Sequence, residues 1–551
     1  LAWSLQEIFR AKGFPDMIRT ADAIARRLYA AGCRHAFGMP GGEVLTLVDA
    51  LEAAGITFVL CKHENAAGFM AEAAWHRTGA PGIMVATIGP GILNGVNAIA
   101  NALQDRVPLI VLSGCVDAAE AQTYTHQVLD QQAVLRPITK ASFCLSAGAA
   151  HVIADKAVAI ALEGRPGPVH IDVPISVADA MIPEAPPALR AVPVPTAPTG
   201  AAVQTARDWL GGARRPVMIV GVDAMNEQAG AAVTGFAEAF GIPVITTYKA
   251  KGLIDEAHAL ALGAAGLSPL ADSHLVPFVQ TADLVICVGY DPIEMRPGWR
   301  DIWDPRKTRV IDITAAPNHH YMHQASLGII ADCAASLAVI GEGVTSRPVW
   351  EQGQIAALKG ALAAAFPRDE AWGPAAIIDT CRRFLPDDTI ATADSGAHRI
   401  LLSQMWTCTQ PRGLLQSSAL CTMGCALPLA MGTALCAPDR TVVSFSGDAG
   451  FLMIAGELAT AQELGIKPIF VVFVDASLAL IELKQRQRQL RTVAVEFGRH
   501  DFAAIGRAFG GAGHTATTRA ELGIALQAAQ TADTFTVIAC PIARGSYDGR
   551  I

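Results

Sequence analysis

At 551 residues the chain is too long for a single compact core, and its length points to about three domains. A hydrophobic share of 52% against 17% charged residues excludes a disordered chain, and a net charge of −8 with no long basic run excludes non-specific nucleic-acid binding. Twelve scattered cysteines, most of them inside apolar segments, exclude a disulfide framework and read as small buried thiols of a reducing, cytoplasmic compartment.

Residues 1–16 carry Glu7, Arg10 and Lys12 and no sustained apolar core, so they read as an extension and not as a signal peptide. Regular patterning starts at Met17. Within 17–182 the glycine turn Phe37-Gly38-Met39-Pro40-Gly41-Gly42 comes first, and the apolar run Phe58-Val59-Leu60-Cys61 then leads into Lys62-His63-Glu64-Asn65-Ala66-Ala67. A glutamate flanked by small residues behind such a run is expected to be buried and functional; on an open helix face it would be an ordinary solvated charge. Residues 82–87 and 108–112 are expected strands. The Pro/Ala-rich stretch 183–199 suits an extended connector. Block 200–344 repeats the strand pattern at Pro216–Val220 and Leu284–Val288, and 345–374 reads as a second linker with a short helix at Gln354–Ala365. The uncharged run 419–437 approaches membrane-span length, but Thr422, Gly424, Pro428 and Gly432 interrupt it, so a turn and a buried helix are expected and no membrane association. Cys421 and Cys425 have the spacing of half a zinc site, yet no second Cys/His pair accompanies them.

In 375–551 the turn Gly447-Asp448-Ala449-Gly450 follows one apolar run, 441–445, and Asp475 follows another, 468–473. The segment 451–465 reads as the helix of a βαβ unit. Right-handed crossovers set the ends of such strands side by side. Two carboxylates there give hard oxygen donors suited to Mg²⁺, and a small-residue turn entering a helix offers N–H groups to a diphosphate. The same residues also fit two unrelated loop aspartates. The expected architecture is α/β, three doubly wound parallel-sheet domains.

The segment around Asp448 and Asp475 resembles the diphosphate- and metal-binding motif of the thiamine diphosphate enzymes of the 2-oxo acid decarboxylase and acetolactate synthase superfamily. The likeness extends over almost all of residues 17–545. It implies a pyrimidine-binding domain at 17–182, a central domain at 200–344 and a diphosphate-binding domain at 375–551. It further implies that Asp448, Asp475 and the Ser477 carbonyl hold Mg²⁺. Ala449 stands where glycine is usual, which costs little unless its φ is positive, and Val474-Asp475 stands where Asn-Asn is common. Glu64 matches the carboxylate that hydrogen-bonds the cofactor's aminopyrimidine ring, and Pro40 and Gly41 belong to the matching glycine turn. Asp394-Ser395-Gly396-Ala397-His398 is similar to the segment whose histidine contacts the diphosphate, which Ala449 and Gly450 also line. Cys421-Thr422-Met423-Gly424 is similar to the segment that keeps the cofactor bent, with Met423 as the apolar wedge and the Cys421 carbonyl accepting from the 4′-amino group.

Thr125-His126-Gln127-Val128-Leu129-Asp130 with Arg136-Pro137-Ile138-Thr139-Lys140, the stretch Gly289-Tyr290-Asp291-Pro292, and Glu496-Phe497-Gly498 resemble the catabolic, FAD-independent acetolactate synthases. That resemblance implies Gln127 near the thiazolium and substrate, with His126 as the nearest proton shuttle. The aromatic residue usual after the metal motif is missing from Ala476-Ser477-Leu478-Ala479-Leu480. Gly41-Gly42 is expected to leave its corner without an acid, which favours carboligation over simple protonation. The expected activity is thiamine diphosphate- and Mg²⁺-dependent decarboxylation of a 2-oxo acid, pyruvate favoured, with carboligation to a second carbonyl compound. The alternatives are a decarboxylase or C–C lyase for a larger 2-oxo acid or 2-hydroxy ketone, and a non-catalytic regulatory or scaffold subunit. Retention of Glu64, Gln127, Asp448 and an oxygen ligand at Asp475 argues against the last. The resemblance implies a homodimer or homotetramer with active sites between subunits.

Overall fold

The computed structural model describes residues 16–185, 196–345, 350–351 and 353–551. All but the last residue of the expected extension 1–16, and most of the connector 183–199, lie outside them. The described residues fall into two compact units, 16–185 with 431–437 and 196–430 with 438–551.

Three six-stranded parallel sheets carry the fold. Their strands are short apolar runs such as Pro216–Val220, Leu284–Val288 and Ile469–Val474, in which nearly every residue is buried. That is the pattern of strands covered on both faces by helices. The first sheet runs Thr57–Leu60, His35–Met39, Gly82–Ala86, Leu109–Cys115, Val169–Pro174, Ala141–Cys144 across its width. The third runs Leu414–Gln416, Ile390–Ala393, Val442–Gly447, Ile469–Val474, Thr536–Pro541, Ala512–Thr515. Numbered along the chain, both have the order 2-1-3-4-6-5. The central sheet differs, running Ala261–Ala264, Val244–Thr246, Pro216–Val220, Leu284–Val288, Arg309–Thr314, Leu327–Ile330, or 3-2-1-4-5-6. Each order has a switch point where neighbouring strands send their chains to opposite sides, and open α/β sheets form their binding crevice there.

The first described strand, Met17–Arg19, pairs antiparallel with Met181–Pro183 and so joins the entry and exit of the first sheet unit. In the second unit one apolar core passes from Val217 and Val285 of the central sheet to Phe445 and Val471 of the third. A fully buried phenylalanine such as Phe445 or Phe470 contributes roughly 2–3 kcal/mol by leaving water. The helix Gln354–Ala365 packs Ile355, Leu358 and Leu362 against that core.

One expected element takes a different form. The helix expected over 451–465 begins earlier, at Asp448, and is broken into Asp448–Ile454, a 3₁₀ turn Ala455–Glu457 and Leu458–Glu463. Gly456 is a weak helix former. Glu457 turns inward and accepts from Thr460 Oγ1 at 2.9 Å, which tightens the chain at the break. Among the described residues no helix is long and apolar enough to cross a membrane; the uncharged run supplies the 11-residue helix Ala426–Cys436.

Candidate active site

At the switch point of the first sheet, strands His35–Met39 and Gly82–Ala86 pair from Ala36↔Ile83 to Met39↔Ala86. The turns beyond them are packed against each other. A Cβ on Gly41 would fall 2.2 Å from Thr87 Oγ1, so only glycine fits. Thr87 Oγ1 donates to Glu43 Oε2 at 2.6 Å. This corrects the expectation of a corner without an acid: Gly41-Gly42 carries none, but the carboxylate of Glu43 folds back to the same turn.

Glu64 is the first residue of the helix Glu64–Thr78, whose N-cap His63 accepts from Asn65 N. A carboxylate there is stabilised by the positive end of the helix. Glu64 is 4% exposed and accepts from Asn94 Nδ2 at 3.0 Å. Gln127 has a left-handed backbone, φ +59°, and its carbonyl lies against Gly89. Gly89 N in turn donates to Gln131 Oε1 at 2.9 Å. The turn after strand Gly82–Ala86 therefore touches Gly41 through Thr87 and Gln127 through Gly89, and it leads into the helix whose Asn94 orients Glu64. Pro40, His126 and Gln127 are exposed; the His126 ring stands edge-on to Tyr124, 6.2 Å away, with no hydrogen bond to Glu64 or Gln127.

At the switch point of the third sheet, strands Ile390–Ala393 and Val442–Gly447 lead to Asp394 and Asp448. Asp448 Oδ1 accepts from Ala449 N at 2.8 Å, while Oδ2 accepts from Asp475 N at 3.1 Å and Ala476 N at 2.7 Å. Asp475 Oδ1 accepts from Ser477 N at 3.2 Å. The turn closes because Ala476 is left-handed, φ +56°. Burial raises the pKa of Asp448, and burial together with the Asp448 charge pushes Asp475 up to about 7. Two desolvated carboxylates placed this close suit either a shared proton or a bound cation. No cluster of three or more His, Cys, Asp or Glu side chains able to hold a metal occurs among the described residues. The set here, two carboxylates and the Ser477 carbonyl, is smaller and leaves room for phosphate or water oxygens.

Ala449 lies in the first turn of its helix, outside the left-handed region, so its Cβ is tolerated. Gly450 has no such freedom: a Cβ would fall 1.9 Å from Asp394 Oδ2. Asp394 is fully buried, its pKa raised by burial to about 6, and its Oδ1 accepts from Cys425 N at 3.1 Å. It thereby ties the Gly450 turn to the loop that carries Cys421 and Met423. Cys421 is left-handed, φ +52°, and exposed, whereas Met423 is half-buried. Buried Arg399 donates to the Ser417 carbonyl and to Cys421 Sγ, holding this loop from below. His398 stacks on Phe473 with centroids 5.5 Å apart. Burial and the neighbouring Arg399 lower its pKa to about 3, so the ring is neutral, and its buried Nε2 has no partner. The ring's one N–H goes to the Asp394 backbone, which leaves Nε2 as an acceptor that a donor, such as water or a protonated phosphate oxygen, would satisfy.

Three family models match the chain in order: the thiamine pyrophosphate enzyme N-terminal TPP binding domain over residues 18–134, the central domain over 203–340, and the C-terminal TPP binding domain over 394–540. The chain belongs to the thiamine pyrophosphate enzymes. Among its relatives are the acetolactate synthase of Bacillus subtilis, 30% identical over 95% of this chain and 93% of that one, and the catabolic acetolactate synthase of Raoultella terrigena, 29% identical over 95% and 94%. The acetolactate synthase isozyme 1 large subunit of Escherichia coli is 32% identical over 89% and 88%. This is therefore a thiamine diphosphate enzyme of the acetolactate synthase-like group, and the non-catalytic alternative falls away.

Sequence reasoning missed four residues of this enzyme that meet the candidate site: Glu43, Asn94, Asp394 and Arg399. Asn94 and Arg399 gave no distinct signal, since each shares its helix with other polar residues, Asn97 and Asn101 in one, His398, Ser403 and Gln404 in the other. Glu43 and Asp394 had none either, because their importance arises from what folds against them.

Proposed function

We propose that this enzyme uses thiamine diphosphate and Mg²⁺ to decarboxylate a 2-oxo acid, pyruvate first, and joins the remaining unit to a second carbonyl compound. The observation that carries this reading is the meeting of Asp448 and Asp475 in one desolvated turn, in a chain similar over most of its length to acetolactate synthases.

The residues present fit the cofactor. Asp448, Asp475 and the Ser477 carbonyl would hold the metal as hard oxygen donors. The N–H at Gly450 would meet the diphosphate, Ala449 N being held by Asp448 Oδ1, and His398 would line the diphosphate with its neutral ring. The Cys421 carbonyl and Met423 would keep the cofactor bent, and Pro40 and Gly41 would line its ring. When bound, thiamine diphosphate supplies an electron sink for loss of CO₂. Glu64, fixed by Asn94, holds a proton against the aminopyrimidine ring. Gln127 orients the substrate, and His126, exposed in the single chain, moves a proton at the pocket edge. Glu43 is engaged with Thr87, so it does not compete for that proton.

Flavin independence is part of the proposal. Its support is the stretch Gly289-Tyr290-Asp291-Pro292, which resembles the flavin-independent branch and follows the strand at the central switch point. We also propose a homodimer or homotetramer with active sites between subunits. Exposed Leu60, Leu93, Leu420 and Met453 support it as apolar surface in need of cover.

One observation favours a second reading, a larger donor. The start of the helix Ala479–Gln487 offers Ala479, Leu480 and Ile481, the last 45% exposed, where the resemblance leads one to expect an aromatic. Incubation with thiamine diphosphate, Mg²⁺ and pyruvate, followed by CO₂ release and mass spectrometry of products, tests both readings. Acetolactate is the expected product. Tight cofactor binding without pyruvate turnover would overturn pyruvate as donor and favour larger 2-oxo acids or 2-hydroxy ketones.

A further inference from the structure

We infer that Glu482 and Arg544 are positioning residues that hold the turn Asp475-Ala476-Ser477 in its metal-binding shape. The inference rests on the reading of Asp448, Asp475 and the Ser477 carbonyl as the Mg²⁺ set.

The turn is disfavoured by its backbone: Ala476 is held at φ +56°, a conformation that a Cβ penalises. Such a conformation persists only where its surroundings over-determine it. On one side the surroundings are an isolated antiparallel bridge between Ser477 and Glu496. There Phe497 N donates to Ala476 O at 3.2 Å and Leu478 N donates to Val495 O at 2.8 Å. These bonds use the carbonyl before and the amide after Ser477 and leave the Ser477 carbonyl outside the ladder.

On the other side is Glu482, buried in the first turn of Ala479–Gln487. It accepts from Ser477 Oγ at 2.5 Å. Arg544 links the two sides: its Nε donates to the same Glu482 Oε2 at 2.9 Å and its Nη2 to Glu496 Oε1 at 2.7 Å. The segment carrying Arg544 is itself fixed next to the site, since Ile542 N donates to Val474 O at 3.0 Å, one residue before Asp475. Arg544 thus closes a ring of side chains around the metal turn without touching the carboxylates in it. Partners of this kind, one step removed from a metal, set the affinity of the groups that do touch it.

Electrostatics alone and positioning predict opposite signs. Arg544 is a cation near a cation site, so by charge alone its removal strengthens Mg²⁺ binding. By positioning it weakens binding, because Glu482 loses its anchor and the turn relaxes. Mg²⁺ affinity would be measured by calorimetry at saturating thiamine diphosphate for Arg544→Met, Glu482→Gln and the double variant, with thermal unfolding of each cofactor-free protein alongside. The expected result is Mg²⁺ binding about ten- to a hundredfold weaker in each single variant. The double variant should be no worse than the weaker single, because both act through one ring. Excess Mg²⁺ should restore kcat, and Arg544→Lys should recover part of the affinity. Unchanged or tighter Mg²⁺ binding in Arg544→Met would overturn the inference. So would weakening that merely tracks a loss of cofactor-free Tm with no recovery in Arg544→Lys. Asp448→Ala separates the two levels: if it leaves Mg²⁺ binding intact the metal reading itself fails, whereas its loss beside unaffected Glu482 and Arg544 variants sinks this inference alone.

Discussion

The first and third sheets share one strand order and both place candidate residues beyond the same switch point, yet they handle charge in opposite ways. Beyond the first sheet the carboxylates stand apart, Glu64 at a helix start met by one side-chain amide and Glu43 bound to Thr87. Beyond the third, Asp448 and Asp475 share one turn and Asp394 lies against Gly450, each accepting backbone N–H groups and each with a raised pKa. A carboxylate met by one amide is equipped to pass a proton. A facing pair of desolvated ones is suited to a cation. Shared topology fixes where a ligand meets the sheet, and the side chains on the turns decide what is done with it.

The largest effects should split along this line. Glu64→Gln keeps the shape and the contact to Asn94 but removes the acid, so kcat should fall about 10²–10⁴-fold with thiamine diphosphate affinity nearly unchanged. Asp448→Ala should do the reverse, weakening Mg²⁺-dependent cofactor binding by at least about a hundredfold. Steady-state kinetics paired with cofactor titration reads both. A Glu64→Gln enzyme that loses affinity as Asp448→Ala does would erase the division of labour.

How much of this division is legible in the sequence depends on the range of the interaction. The strands Pro216–Val220 and Leu284–Val288 follow from local apolar runs, and they form over those residues. The Asp448/Asp475 pairing follows from parallel crossover geometry, and the two residues do meet. The break at Ala455–Glu457 does not follow, because Glu457 turns inward for a partner that no periodicity announces. Asp394 was readable only as part of a segment. Its burial, and the pressure it puts on Gly450, arise from three turns that are distant in sequence. Left-handed Gln127, Cys421 and Ala476 were equally hidden, since a non-glycine residue gives no sign of a positive φ.

A smaller effect tests whether the third site is strained by its own charge. The folded pKa of Asp394, about 6, lies above the ordinary carboxylate value. The folded state therefore holds this proton more tightly than the unfolded chain. Its contribution favours folding at low pH and is lost as pH rises through the folded pKa, at a total cost of about 3 kcal/mol. Asp394→Asn cannot pay that cost, so its stability relative to the parent should rise by about 1.5 kcal/mol between roughly pH 5 and pH 8. Thermal unfolding of the two cofactor-free proteins at both values measures it. A constant difference would mean that Asp394 is relieved by a partner when ionised.

Two adjacent positions, one with a moderate effect and one with the smallest, sharpen the comparison most. Gly450→Ala drives a methyl toward Asp394 Oδ2, where a Cβ would stand at 1.9 Å. Overpacking of this kind costs about 1–3 kcal/mol, and here it should also weaken Mg²⁺ binding, since the turn must shift. Ala449→Gly restores the residue more usual in the motif but relieves nothing, because Ala449 is helical and outside the left-handed region. It should lower stability by about 0.5–1 kcal/mol through backbone entropy and leave Mg²⁺ affinity where it was. If Ala449→Gly instead tightened Mg²⁺ binding tenfold, the Ala449 methyl would be intruding on the metal turn. The third site would then be a weakened version of the motif and no longer a tolerant one.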